Sequence, residues 1–230
     1  MTESKKIKKV FELVTLEFLV LGVVFTLALF TFSLIVHEAV LEKEDVFDNN
    51  VIHFFATHSS GGFIAIMEKV TFFGSTTFLL PAYVVLISWL ASRRKKQYAI
   101  DTAIIAISST AMMFGLKQVF HRHRPELPII KGIGGYSFPS GHSLSSFIFC
   151  SILIYLVWKG TLKPVVKYLL MFILLLCPLV IGLSRVVLNV HYATDVIGGF
   201  CLAIAWVVLS FFILKRIRRN NPVANIDTVS

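Results

Sequence analysis

The chain has 230 residues, of which 56% are hydrophobic and 15% charged, with 21 phenylalanines and a formal net charge of +9. Soluble domains carry about 25% charged residues, and one of this length cannot bury so much apolar side chain. A mean hydropathy of +0.79 therefore excludes a soluble globular fold, and the same composition excludes intrinsic disorder, a collagen repeat and a secreted disulfide scaffold. Cys150, Cys177 and Cys201 all fall inside apolar runs, which reads as packing within a membrane core.

A hydrocarbon layer about 30 Å thick takes about 20 apolar residues per helix. Six stretches approach that length: 16–36, 70–91, 98–116, 143–158, 165–183 and 196–214. The third is the least apolar, because Asp101 and several Ser and Thr interrupt it. The first exceeds a signal-peptide core of ~7–15 residues and lacks a small-residue cleavage site, so it is expected to remain as a helix. The expected fold is all-α, an integral membrane bundle of six transmembrane helices.

Four segments hold 15 of the 22 Lys and Arg: the N-terminus (Lys5, Lys6, Lys8, Lys9), the 92–97 and 159–167 loops, and the C-terminus. The positive-inside rule then places both termini in the cytoplasm and segments 37–69, 117–142 and 184–195 outside. Cations spent on topology require no nucleic-acid partner. In the first outer segment, Phe47, Val51, Phe54 and Phe55 recur at helical spacing opposite Asp48, Asn49 and His53. This predicts a short amphipathic helix at the outer interface, serving either as a cap on the bundle or as a guide for lipid.

Three outer elements carry chemistry. In the first, Lys117 and Arg124 are seven residues apart and Pro125 follows. If the third helix continues here, both cations lie on one face, which suits an oxyanion. In the second, Pro139-Ser140-Gly141-His142 opens the fourth helix. Such a turn offers backbone N–H groups and a hydroxyl to an anion, although Ser140 also fits an ordinary helix cap. In the third, His191 and Asp195 are four apart, with Arg185 six residues ahead. A carboxylate on one imidazole nitrogen leaves the other basic, as a nucleophile requires; a merely structural pair is the alternative. Lys117, Arg124 and Arg185 would repel a divalent metal and would hold a phosphate.

Together, Lys-x6-Arg-Pro (117–125), Pro-Ser-Gly-His (139–142) and Ser-Arg-x5-His-x3-Asp (184–195) resemble the three-part signature of the type 2 phosphatidic acid phosphatase superfamily, in residue type, spacing and order. The layout looks most like short bacterial members acting on phosphatidylglycerophosphate or undecaprenyl pyrophosphate. The resemblance implies one membrane phosphatase domain over 1–230 that needs no metal or cofactor. It implies a phospholipid or polyprenyl phosphate as substrate, bound on the extracytoplasmic side. His191 would attack phosphorus and Asp195 would hold its ring. Lys117, Arg124, Ser140, Gly141 and Arg185 would hold the phosphate oxygens, and His142 would act as acid and base. His121, His123 and Glu126 lie outside the signature. Phosphoryl transfer to a second lipid is the nearest rival activity. A transporter or lipid-binding protein fits less well, because only Glu17 and Asp101 lie in or near the spans.

Overall fold

A computed structural model describes the backbone of residues 3–220 and the side chains of 16–217 other than Glu17. The basic side chains expected to mark the N-terminus, and those of Arg218 and Arg219, lie outside the described residues. Among the described residues eight α-helices follow in order: α1 (Glu3–Ile35), α2 (Val46–His58), α3 (Gly61–Phe72), α4 (Thr76–Ser92), α5 (Lys96–Phe120), α6 (Gly141–Lys159), α7 (Pro164–Val187) and α8 (Ala193–Asn220). Among the described residues five spans are long and apolar enough to cross a membrane, the first running on from α1 into a π-helical turn at Val36–Leu41, and the bent pair α3–α4, taken as one span, makes a sixth. Large apolar side chains such as Leu19, Phe30, Val85, Ile107 and Tyr168 face outward, as a lipid-facing surface demands.

The crossing expected at 70–91 is not one straight helix. It breaks between Phe72 and Thr76 and bends by 40°, because Ser75 caps a new helix by accepting from the Phe78 N–H. The crossing expected at 98–116 runs for 25 residues. Its polar residues are satisfied within the helix: Ser108 donates to Ile104 O at 2.6 Å, Thr110 to Ala106 O at 2.7 Å, and Gln97 to Asp101 Oδ1 at 3.1 Å. Hydroxyls returned to the preceding turn add no unsatisfied group in lipid, so they do not end the helix.

The bundle centre lies where α5, α6 and α8 meet, around Ile105, Met113, Leu144, Ile148, Ile152, Leu202 and Ala203. There α6 packs against both α7 and α8, while α1 lies at the periphery along α8. Gly199 lets α8 approach α6 closely: a Cβ there would stand 2.9 Å from Ser140 O. At one end Phe32, Phe120 and Phe138 form an aromatic cluster with centroids 5.2–6.2 Å apart, pinning the 121–140 segment to the bundle.

The amphipathic helix is present as α2, but its faces differ from those expected. Val51 and Phe55 pack inward around Val186, Ala193 and Val196, whereas Phe47 and Phe54 are more than half exposed. Asp48 is buried, because it precedes Val51 by three residues and Phe55 by seven and so shares their inner face.

Candidate active site

Four elements build the site at the end of the bundle next to the Phe32–Phe120–Phe138 cluster. Helix α5 stops at Phe120, and His121 takes a left-handed conformation (φ 50°) with its N–H on Lys117 O. Lys117 and Arg124 therefore do not share a helix face, contrary to the sequence expectation. The positive-φ residue turns the chain off the axis, and Arg124 reaches the site from the loop. Lys117 Nζ donates to Tyr136 O at 2.6 Å and Ser137 O at 3.1 Å. Arg124 Nε donates to Gly135 O at 3.1 Å, and its Nη1 to Val190 O at 2.7 Å. These bonds lock the glycine-rich loop to the end of α5.

The Pro-Ser-Gly-His turn enters α6 with Ser140 as its N-cap, accepting from Ser143 N and Ser143 Oγ. The Ser140 N–H donates to Asp195 O at 3.1 Å, which ties this turn to α8. The Gly141 amide stands at the N-terminal end of α6, where helix N–H groups have no intrahelical acceptor and favour an anion. His142 lies within electrostatic reach of Arg185, His191, Arg124 and Lys117.

Arg185 occupies the last turn of α7, buried, with Nη1 donating to Thr71 Oγ1 of α3 at 2.7 Å. Its Nε is buried without a protein partner. The Arg185 carbonyl accepts from Val190 N and His191 N, so the end of α7 shapes the turn that presents His191. That histidine precedes α8 and is not on it. Its contact with Asp195 survives because Asp195, at the third helical position, also accepts from the Tyr192 N–H at the cap, at 3.1 Å.

His191 and Asp195 are both fully or almost fully buried. His191 Nδ1 lies 3.1 Å from Asp195 Oδ2, and Nε2 lies 3.1 Å from Arg124 Nη1. A guanidinium only donates, so Nε2 is the acceptor and carries the lone pair, and Nδ1–H donates to the carboxylate. Burial, then the charges of Arg124, Arg185 and Lys117, hold the imidazole pKa well below its ordinary value. The site thus presents a neutral histidine whose basic nitrogen faces Arg124, among three cations.

All eight residues singled out in the sequence fall within these interlocked segments. His121 and His123 are exposed; His121 packs edge-on against Tyr136, centroids 4.5 Å apart. The Glu126 carbonyl accepts from Asn189 Nδ2 at 2.6 Å. Sequence reasoning missed Arg122, Asp48, Thr71 and Gly74. Gly74 stands in the α3–α4 break, where a Cβ would lie 2.5 Å from Ile181 Cγ2 and 3.0 Å from His142 Cδ2. Among the described residues no three His, Cys, Asp or Glu side chains converge in a metal-holding group.

The model of the family described as the PAP2 superfamily matches residues 98–219, which contain all three motifs. The chain belongs to the PAP2 superfamily. Over 152 residues it is 30% identical to phosphatidylglycerophosphatase B of Bacillus subtilis (strain 168), covering 65% of this chain and 72% of that one. The crystal structure of a transmembrane PAP2-type phosphatidylglycerolphosphate phosphatase from Bacillus subtilis matches 86% of this chain and 98% of its own, with a TM-score of 0.73 at 24% identity. Aquifex aeolicus LpxE matches 71% of this chain and 93% of its own, with a TM-score of 0.55 at 21% identity. At those identities the two structures show a shared fold. This PAP2 chain is a multi-pass membrane phosphatase, homologous to phosphatidylglycerophosphatase B.

Proposed function

We propose that this phosphatase hydrolyses phosphatidylglycerophosphate to phosphatidylglycerol and phosphate, through a phosphohistidine at His191, on the extracytoplasmic face. The observation that carries the reading is the histidine tautomer: Nδ1–H donates to Asp195 Oδ2 and the Nε2 lone pair faces Arg124. The substrate assignment draws on the 30% identity to phosphatidylglycerophosphatase B, and the sidedness on the Lys and Arg asymmetry of the loops.

As the phosphate enters, Arg124 transfers its N–H from Nε2 to a non-bridging oxygen and frees the lone pair. Lys117, the Arg185 Nε, the Ser140 hydroxyl and the Gly141 N–H take the remaining charge as it builds in the transition state. Nε2 forms a bond to phosphorus while the bond to the glycerol oxygen breaks, and His142 gives that oxygen a proton. Asp195 stabilises the resulting imidazolium. Water then attacks phosphorus, His142 takes its proton, the P–N bond breaks, and phosphate leaves with His191 restored.

The test is phosphate release by the detergent-purified protein in EDTA, from phosphatidylglycerophosphate, phosphatidic acid and undecaprenyl pyrophosphate. Release fastest from phosphatidylglycerophosphate, and lost in His191→Ala, is expected. Faster release from undecaprenyl pyrophosphate would reassign the substrate. Label passing to a second lipid with no free phosphate would replace hydrolysis by transfer.

A further inference from the structure

Of the cations near the site, Lys117, Arg124 and Arg185 act on the His191 ring. Arg122 is placed differently. Its side chain is 7% exposed and stands among three carboxylates: Nη1 donates to Asp195 Oδ1 at 2.8 Å, and Nη2 to Asp48 Oδ2 at 2.8 Å and Asp45 Oδ1 at 3.1 Å. Nη1 also donates to Thr194 Oγ1 at 2.7 Å, and the guanidinium carbon lies 4.2 Å from the centroid of the Tyr192 ring. Asp48 has its own hold on α8, accepting from the Thr194 N–H at 2.9 Å and from the Thr194 hydroxyl. It thus caps the first turn of α8 from another helix. The backbone is fixed as well, since the Arg122 carbonyl accepts from Ser137 N at 2.8 Å.

We propose that Arg122, held by Asp48 of α2, is a positioning residue that fixes the plane of the Asp195 carboxylate and through it the direction of the His191 ring. The proposal rests on the reading of His191 as the nucleophile. The Asp195 carboxylate is gripped by three donors: His191 Nδ1 and the Tyr192 N–H on Oδ2, and Arg122 on Oδ1. Removing Arg122 leaves Oδ1 without the one charged donor bonded to it, and a fully buried carboxylate keeps its charge only where a cation faces it. The carboxylate then turns, and Nε2 loses its aim at phosphorus. Burial weighs against the charge of Arg122, but Asp195 and Asp48 more than offset it and push the guanidinium pKa up. Arg122 is therefore a permanent cation matched by its own acids, while Lys117, Arg124 and Arg185 remain for the substrate. The arrangement also links an outer helix with exposed Phe47 and Phe54 to His191 through Arg122 and Asp195.

The test is steady-state kinetics of the purified full chain, with phosphate release from the preferred lipid, for Arg122→Ala, Arg122→Lys, Asp48→Asn and His191→Ala. The expected result is a kcat lower by about 10–100-fold in Arg122→Ala, by analogy with partners that orient metal-ligating histidines, with KM changed by less than about threefold. Arg122→Lys keeps the charge but cannot bridge Asp48 and Asp195 together, so it recovers only part of kcat. Asp48→Asn is nearly isosteric and gives a smaller fall, again in kcat. Guanidinium at low millimolar concentration restores part of the activity of Arg122→Ala. If that variant does not fold, Arg122→Lys and Asp48→Asn decide the matter. Both within twofold of the wild type would overturn the proposal, as would a rise in KM at unchanged kcat. Either result beside an inactive His191→Ala removes only the role of Arg122; an active His191→Ala removes the nucleophile itself.

Discussion

A histidine in water is half protonated at about pH 6.5, where it would lose its lone pair. His191 avoids this because it is buried and three cations act on it, all opposing a further positive charge. A lowered pKa keeps the imidazole neutral as the pH falls past 6.5, so the proposed nucleophile persists on the acidic side. The kcat/KM profile, after the substrate's own phosphate titration is divided out, is expected to show no acid-side loss centred near 6.5; a loss centred there would contradict the assignment. Arg124 bonds the resting histidine, and in the proposed mechanism it also holds the phosphate. Arg124→Ala is expected to cost about 3 kcal/mol of transition-state stabilisation, on the order of 100-fold in kcat, by analogy with the loss of one oxyanion donor. A fall below about fivefold in folded protein would remove it from that role. His121→Ala is expected to leave kcat within about twofold, because its ring is exposed and packs edge-on against Tyr136.

The break between α3 and α4 brings two groups to the site that a straight crossing would carry past it: Thr71, which accepts from Arg185, and Gly74, which leaves room for the His142 ring. Gly74→Ala is expected to displace His142 or Ile181 and lower kcat about tenfold or more, since small shifts of a reactive group cost that much. Kinetics on the folded variant checks this, and an unchanged kcat would show that the ring moves freely. The break was hard to read from sequence because Phe72, Phe73 and Phe78 keep the stretch apolar across it; only the capping by Ser75 marks the restart. The three motifs were legible because each is local, a few residues apart in the chain. What joins them was not. Arg122 sits between Lys117 and Arg124 with nothing in its spacing to separate it from them, and its partner Asp48 lies 74 residues away. The position of Asp48 was open to inference, because i, i+3 and i+7 place it with Val51 and Phe55. A polar residue in an amphipathic pattern nonetheless reads as solvent-facing until its buried partner is known.

The assembled molecule gathers Lys117, Arg124 and Arg185 around His191 at one end of a lipid-soluble bundle. Its basic loops at 92–97 and 159–167 should then lie on the opposite side of the membrane from the 117–142 segment. In intact cells, a membrane-impermeant thiol reagent is expected to label Lys131→Cys and to spare Lys163→Cys, both positions being exposed. The reverse pattern would turn the active site to the cytoplasm. The proposed mechanism turns above all on a covalent bond between His191 and phosphorus. Rapid quenching in alkali of the purified protein with substrate carrying labelled phosphate tests this directly, because phosphohistidine survives base and is lost in acid. The label is expected on the peptide containing His191 and absent from His191→Ala. Steady turnover with no trapped label, or label on another residue, would contradict it.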